Sequence, residues 1–260
     1  MNASHRTAAG LLLALALALP AAGRAAPKEE LRVGTEGVYA PFTFADEKGT
    51  LTGYDVEVIR AVAEKAGLTA TFLPTPWDSI FLGLEAKKFD LVANQIAKTP
   101  EREKKYLFTQ DYLVSGAQII VRKDGPALDG LAALGGKKVG TGVGSNYTKL
   151  LEDWNAGHDP KIALKYYDGN LTSVLQDLVA GRIDATVNDR LTVGYDAGKL
   201  NLPVKTVGKP IALVPSHFVV RKDAAGEALV KRLDAAITAL KQDGTLAKLS
   251  VKWFGADYTR

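Results

Sequence analysis

The chain has 260 residues, 47% hydrophobic and 24% charged, with 25 Gly, 11 Pro and no Cys. This composition excludes collagen-like, disulfide-stapled and low-complexity disordered proteins, and the length allows one large or two small domains. Net charge is +4, but Arg6 and Arg24 belong to the leader described next, and the remaining 31 basic and 29 acidic residues interleave, so no basic patch points to nucleic acid.

The chain opens with His5 and Arg6, continues through an apolar stretch from Leu11 to Leu19, and ends in the small-residue segment Pro20 to Ala26. This is the three-part layout of a secretory signal peptide, residues 1–26, with cleavage expected between Gly23 and Ala26. The apolar stretch falls short of the roughly 20 residues of a membrane-spanning helix. A soluble exported, periplasmic protein is expected. The absence of cysteine removes thiol catalysis, cysteine metal sites and the thiol needed for lipoprotein anchoring, and His5, His158 and His217 are too scattered for a metal cluster. Neither cofactor nor metal is expected.

In the mature chain, short apolar runs alternate with segments of helical period, the cadence of an α/β protein. Asp55 is read as opening a first helix, with Val58, Ile59, Val62, Ala63 and Ala66 on one face and Gly67 at its end. A strand is expected at Ala70–Leu73, a helix near Asp78 and a strand at Phe89–Ala93. Thr99 and Pro100 read as the N-cap and first position of a further helix. Ser145 is expected to cap a helix with Tyr147, Leu150, Leu151 and Trp154 on one face. A helix striped by Leu171, Val174, Leu175, Leu178 and Val179 stops at Gly181, and a strand follows at Ile183–Val187. A long helix spans Leu229–Leu240, Asp243 to Thr245 break it, and a short last helix ends at Trp253 to Gly255.

The two halves echo each other. Leu84 to Gln95 aligns without gaps to Leu178 to Asp189, with Leu84 and Leu178, Ala86 and Ala180, Asp90 and Asp184, and Asn94 and Asn188 coinciding. Both segments read as a helix end, a turn, a buried strand and polar residues at the strand's carboxyl end, where open α/β sheets bind ligands. Two such lobes face to face bring Asn94, Gln95, Asn188 and Asp189 to one cleft.

Several residues admit two readings. Arg102 sits in a first helical turn, where the helix dipole disfavours a cation; either Glu101 and Glu103 neutralise it, or its planar fork reaches a cleft and takes a carboxylate. Asp189 follows an apolar strand and serves either as an N-cap or as acceptor for a ligand ammonium. Gly142, Gly144 and Ser145 make either an ordinary capped turn or an anion site at a helix N-terminus, and no Lys-Ser/Thr pair completes a P-loop. Of Tyr39, Phe42, Phe44, Tyr54 and Trp77, most are expected in the core, with Trp77 the exception lining a cleft.

Read in order, Val33 to Phe42, Gly53 to Glu57, Trp77 to Ile80, Asn94 to Ala97 with Glu101 and Arg102, and Asp243 to Thr245 with Trp253 to Gly255 resemble the polar amino-acid-binding proteins of ABC importers. Gly34 to Gly37, Val92 to Gln95 and Tyr112 to Gly116 resemble their cystine-binding branch. The resemblance implies an α/β fold of type II periplasmic binding proteins, two-lobed with the ligand cleft between the lobes. Lobe 1 would comprise 27–111 and 217–260, the inserted lobe 2 would be 117–211, and 112–116 with 212–216 would form the hinge. It implies a monomer that binds L-cystine, closes and docks on the transmembrane subunits of a permease. By matching position, Arg102 with the backbone of Ala97 and Ser145 would hold the α-carboxylate, with Asn146 beside them, and Asp189 the α-amino group. Tyr39 and Trp77 would pack the side chain, while Glu36 with Asn94 or Gln95 would meet the far ammonium. Relatives that bind basic amino acids have hydroxyl residues where this chain has Asn94, Gln95 and Ala97, which disfavours a basic ligand. Two alternatives stay open: another polar amino acid such as glutamine, or the cyclohexadienyl dehydratases, which share the fold and for which Glu36 would be the acid.

Overall fold

A computed structural model describes residues 28–168, 171–199 and 201–260. The expected signal peptide lies outside the described residues. In chain order the elements are β1 (Glu29–Thr35), β2 (Val38–Tyr39), β3 (Thr43–Ala45), β4 (Leu51–Thr52), α1 (Tyr54–Lys65), β5 (Leu68–Pro74), α2 (Trp77–Glu85), β6 (Leu91–Ile96), α3 (Pro100–Lys105), β7 (Tyr106–Phe108) and β8 (Leu113–Arg122). After a 3-10 turn at Leu131–Leu134 come β9 (Lys138–Gly142), α4 (Asn146–Gly157), β10 (Ala163–Tyr167), α5 (Leu171–Val179), β11 (Ala185–Asp189), α6 (Arg190–Lys199), β12 (Val204–Arg221), α7 (Ala224–Gln242) and α8 (Thr245–Phe254).

The strands run β10-β9-β11-β8-β12-β6-β1-β5, with β7 also on β12. The long β12 belongs to two bodies: Val204–Ser216 pairs antiparallel with β8, whereas the stretch from His217 pairs with β6 and β7. One body packs α1, α7 and α8 on β1 through Val33, Ile59, Val62, Leu233 and Ile237; the other gathers Ile119, Leu134, Val139, Leu151 and Val187. Burial of these apolar faces is what holds each body together.

The internal echo is structural. The Asp90 amide donates to Arg32 O at 2.8 Å while the Arg32 amide donates back to Asp90 Oδ2 at 3.1 Å. Asp184 repeats this on Lys138, at 2.8 Å in both directions. Each aspartate thus clasps a neighbouring strand of its body, β1 at Arg32 and β9 at Lys138, and the strand after it starts late: β6 begins at Leu91 and β11 at Ala185, two residues later than the apolar runs indicate. At the start of α7, five residues beyond the apolar stripe are helical because Asp223 caps Gly226 N at 2.7 Å.

The caps at Thr99 and Ser145 form as read, accepting from the amides of Arg102 at 3.2 Å and Thr148 at 3.1 Å. Asp55 does not cap α1. The helix starts at Tyr54 after Gly53, whose φ of 128° lets the chain fold under the Phe42 carbonyl, where a β-carbon would stand 2.2 Å from that oxygen. Asp55 is thereby carried into the interior.

Candidate functional site

The carboxyl ends of β6 and β11 face each other across a narrow cleft lined by polar and apolar side chains of both bodies. Of the residues singled out from sequence, Glu36, Tyr39, Trp77, Asn94, Gln95, Ser145 and Asn146 line it. Arg102 borders an adjoining groove with Thr99, Ser145 and Asn146. Asp189 is fully buried behind the lining, and Ala97 packs into the second body's core while offering its carbonyl to Arg102 at 2.9 Å.

Hydrogen bonds cross the cleft. The Tyr39 hydroxyl lies 2.9 Å from Asn188 Oδ1 and 3.2 Å from Gln95 Oε1; its single proton serves one at a time. Gln95 Nε2 donates to Asp189 Oδ2 at 2.6 Å, Trp77 Nε1 to Val143 O at 3.2 Å, and Arg102 Nη2 to Gly144 O at 3.1 Å. The two bodies stand closed on each other.

The electrostatics of Arg102 and Asp189 mirror one another. The guanidinium lies 5.4 Å from the ring centroids of both Trp77 and Phe81, which touch each other edge to face at 5.7 Å, so one cation–π cluster holds it. Its hydrogen bonds go to neutral carbonyls rather than to Glu101 or Glu103, which favours the cleft reading of this residue over neutralisation within α3. Burial pushes its pKa down to about 10. Asp189 Oδ1 accepts from the Leu191 amide at 2.8 Å and the Ser115 hydroxyl at 2.9 Å, so it does cap α6, yet Oδ2 turns to the cleft side. Burial pushes its carboxyl up to about 6. Among the described residues neither Arg102 nor Asp189 enters an ion pair.

At the other end, Asn94 Oδ1 accepts the Glu36 amide at 2.9 Å and Asn94 Nδ2 donates to Glu36 Oε2 at 3.2 Å. Burial and the nearby Asp78 raise the Glu36 pKa, while the Asn94 bond works against them. The apolar wall includes Leu171, Val174 and Val187, which sequence reasoning assigned to helix and strand cores, and Tyr147, read as a core residue of α4. The Tyr147 hydroxyl is buried with no well-formed hydrogen-bond partner. A tyrosine directly after a Ser-Asn helix start was the available signal. Phe42 and Tyr54 are core as expected, while Tyr39 joins Trp77 at the cleft.

Two α/β bodies crossed by antiparallel strands, with unpaired opposite charges at the cleft between them, define a two-lobed solute-binding protein of type II. The sequence model of the bacterial extracellular solute-binding proteins, family 3, matches residues 31–256, and the chain belongs to this family. It is 39% identical to the L-cystine-binding protein TcyJ of Escherichia coli (strain K12), covering 88% of this chain and 84% of that one. It is 41% identical to the L-cystine-binding protein TcyA of Bacillus subtilis (strain 168), covering 90% and 84%. An ancestral arginine-binding protein solved bound to glutamine superposes with a TM-score of 0.78 at 35% identity, covering 88% of this chain and 100% of that one. The L-cystine solute receptor of Neisseria gonorrhoeae, solved in its unliganded open conformation, is 38% identical over 90% and 96% of the two chains yet superposes at only 0.61. The higher score against the ligand-bound structure agrees with the closed cleft described above.

Proposed function

We propose that this protein is the substrate-binding receptor of an amino-acid ABC transporter, that its ligand is L-cystine, and that it delivers that ligand from the periplasm to the permease as a monomer. The lobes are 27–111 with 217–260 and 117–211, and they turn about 112–116 and 212–216; residues 1–26 direct export and are then removed. The observation that carries the reading is the complementary pair at the cleft, a half-buried guanidinium and a fully buried carboxylate, each without an ionic partner among the described residues. A buried charge without a counter-charge is costly, and the α-carboxylate and α-ammonium of one amino acid relieve both.

Cystine carries a zwitterion at each end and a disulfide between. Its first end uses Arg102 and Asp189, with the Ser145 turn and Asn146 beside them. Its sulfurs pack against Tyr39, Trp77 and the Leu171, Val174 and Val187 wall, and Glu36 with Asn94 receives the far ammonium. Three or four charge-assisted hydrogen bonds at about 1.5–3 kcal/mol each, less the cost of ordering and closure, suffice for the roughly 8 kcal/mol of micromolar binding. The relatives named for L-cystine support this ligand.

The relative solved with glutamine supports a single amino acid as the second reading. A dehydratase would need Glu36 protonated as a general acid; burial raises its pKa, and the Asn94 Nδ2 donor works toward the carboxylate. The test is a thermal-shift and calorimetric panel on ligand-stripped protein with L-cystine, L-glutamine, L-arginine, L-histidine and prephenate. A shift with cystine alone is expected; a shift only with glutamine or arginine reassigns the far end of the cleft, and turnover of prephenate overturns the transport reading.

A further inference from the structure

Two fully buried aspartates flank one glutamine. Asp55 accepts the Tyr112 hydroxyl at 2.8 Å on Oδ1 and the Gln95 backbone amide at 2.6 Å on Oδ2. Asp189 accepts the Ser115 hydroxyl at 2.9 Å on Oδ1 and the Gln95 carboxamide at 2.6 Å on Oδ2. Tyr112 and Ser115 belong to one crossing segment, so the bonds close a ring, Tyr112 to Asp55 to Gln95 to Asp189 to Ser115, around the strand that joins the lobes. Gln95 has a φ of 50°, a left-handed conformation that a non-glycine residue keeps only where its surroundings over-determine it. Here the two carboxylates do so, one through its main chain and one through its side chain.

The ring holds two acids and a neutral amide. The titratable and charged groups facing Asp55 are the hydroxyls of Tyr54 and Tyr112 and, across the ring, Asp189; those facing Asp189 are Tyr147, Arg190 and Asp55. The Arg190 guanidinium lies 4.8 Å over the Tyr258 ring and makes no salt bridge to either acid. Two like charges in one desolvated site disfavour double ionisation, and a single shared proton or an incoming cation relieves it.

We propose that this ring is a proton-linked amine site: with the cleft empty the Asp55 and Asp189 pair retains a proton, the ligand's ammonium displaces it to solvent on reaching Asp189, and Asp55 is the positioning residue that holds Gln95 in register. The proposal rests on Asp189 being the ammonium acceptor. Burial supports it, pushing Asp55 up to about 7 and Asp189 to about 6. Asp55→Asn keeps both hydrogen bonds, because its oxygen accepts from Gln95 and its amide donates to the Tyr112 hydroxyl, but it cannot ionise.

The first measurement is a carbon-13 carboxyl NMR titration of the unliganded mature chain. One of the two aspartates is expected to protonate above pH 6 in wild type, and Asp189 to titrate lower in Asp55→Asn; two carboxylates both ionised by pH 5 overturn the proposal. The second is calorimetry with L-cystine in two buffers of different ionisation enthalpy. Net proton release is expected in wild type, with Kd weakening by up to about tenfold per pH unit on the acid side and a shallower slope in Asp55→Asn. A pH-invariant Kd with no buffer dependence overturns the proposal. If cystine does not bind, the ligand assignment fails, and the NMR titration alone decides the proton.

Discussion

Replacing Arg102 separates the contribution of its charge from that of its planar fork. The guanidinium donates to the Ala97 and Gly144 carbonyls at 2.9 and 3.1 Å and lies against the Trp77 and Phe81 rings. A carboxylate arriving beside it takes two parallel charge-assisted bonds, about 1.5–3 kcal/mol each. Arg102→Ala loses both and regains part through water, so L-cystine binding weakens by about 3–5 kcal/mol, roughly two to four decades in Kd. Arg102→Lys keeps the charge but not the fork and loses about one to two decades. Isothermal calorimetry near pH 7.5, above the Asp189 range, reads both values, with thermal unfolding in parallel because the alanine variant unpairs two carbonyls at about 1 kcal/mol each. A folded Arg102→Ala protein binding within threefold of wild type refutes the clamp.

Asp55→Asn is predicted to stabilise the unliganded protein in a pH-dependent way. A carboxyl whose folded pKa is raised to about 7 binds its proton more tightly folded than unfolded. The cost of ionising it is absent below about pH 4, grows with pH and is complete above about 7. The asparagine variant therefore gains on wild type between pH 5 and 7.5 by an amount on the order of a few kcal/mol, and an equal Tm offset at both pH values contradicts this. Ser145→Ala removes the acceptor of the Thr148 amide at 3.1 Å and should cost about 1 kcal/mol, a Tm drop of roughly 2–4 °C for a chain of this size; an unchanged melt means the cap contributes nothing. Tyr39→Phe deletes the hydroxyl that reaches Asn188 and Gln95 and should shift the unliganded population toward the open form by about 1 kcal/mol, seen as a larger radius of gyration in X-ray scattering. Identical scattering curves would assign closure to the other cross-cleft bonds.

The legible parts of the chain were those whose signals are local. Thr99 and Ser145 sit at helix starts where a short polar side chain meets a free amide, and the apolar periodicity of α1, α4, α5 and α7 places their buried faces. Asp189 meets its N-cap reading, because one carboxylate oxygen caps α6, and its other oxygen takes the Gln95 carboxamide. What escaped was set by long-range pairing. Asp55 carries every local mark of a helix opener, and only its partners Tyr112 and Gln95, 57 and 40 residues away, reveal a buried acid. Tyr147 has the spacing of a core residue, and its cleft position follows from how α4 docks on β9. Strand boundaries slipped by two residues because Asp90 and Asp184 bond back to strands 58 and 46 positions earlier.

The repeat within the chain places two complementary groups at matching positions of the cleft. Positions 95 and 189 are equivalent in the two halves and meet each other across the cleft at 2.6 Å. Two acids at these positions would repel; two amides would leave no acceptor for an ammonium. One glutamine against one aspartate gives a neutral donor that holds the acid's place until a stronger donor comes. Arg102 behaves alike, lending its fork to backbone carbonyls that a carboxylate can replace. On the proposed assignment the contacts that close the cleft come from the same groups that would meet the ligand, so binding would exchange bonds rather than add them, and affinity would reflect the difference. At the far end Glu36 and Asn94 already satisfy each other, so a short amino acid strands no polar group there. On the proposed assignment, discrimination in favour of a long ligand would come from the apolar wall, where a short side chain leaves surface uncovered.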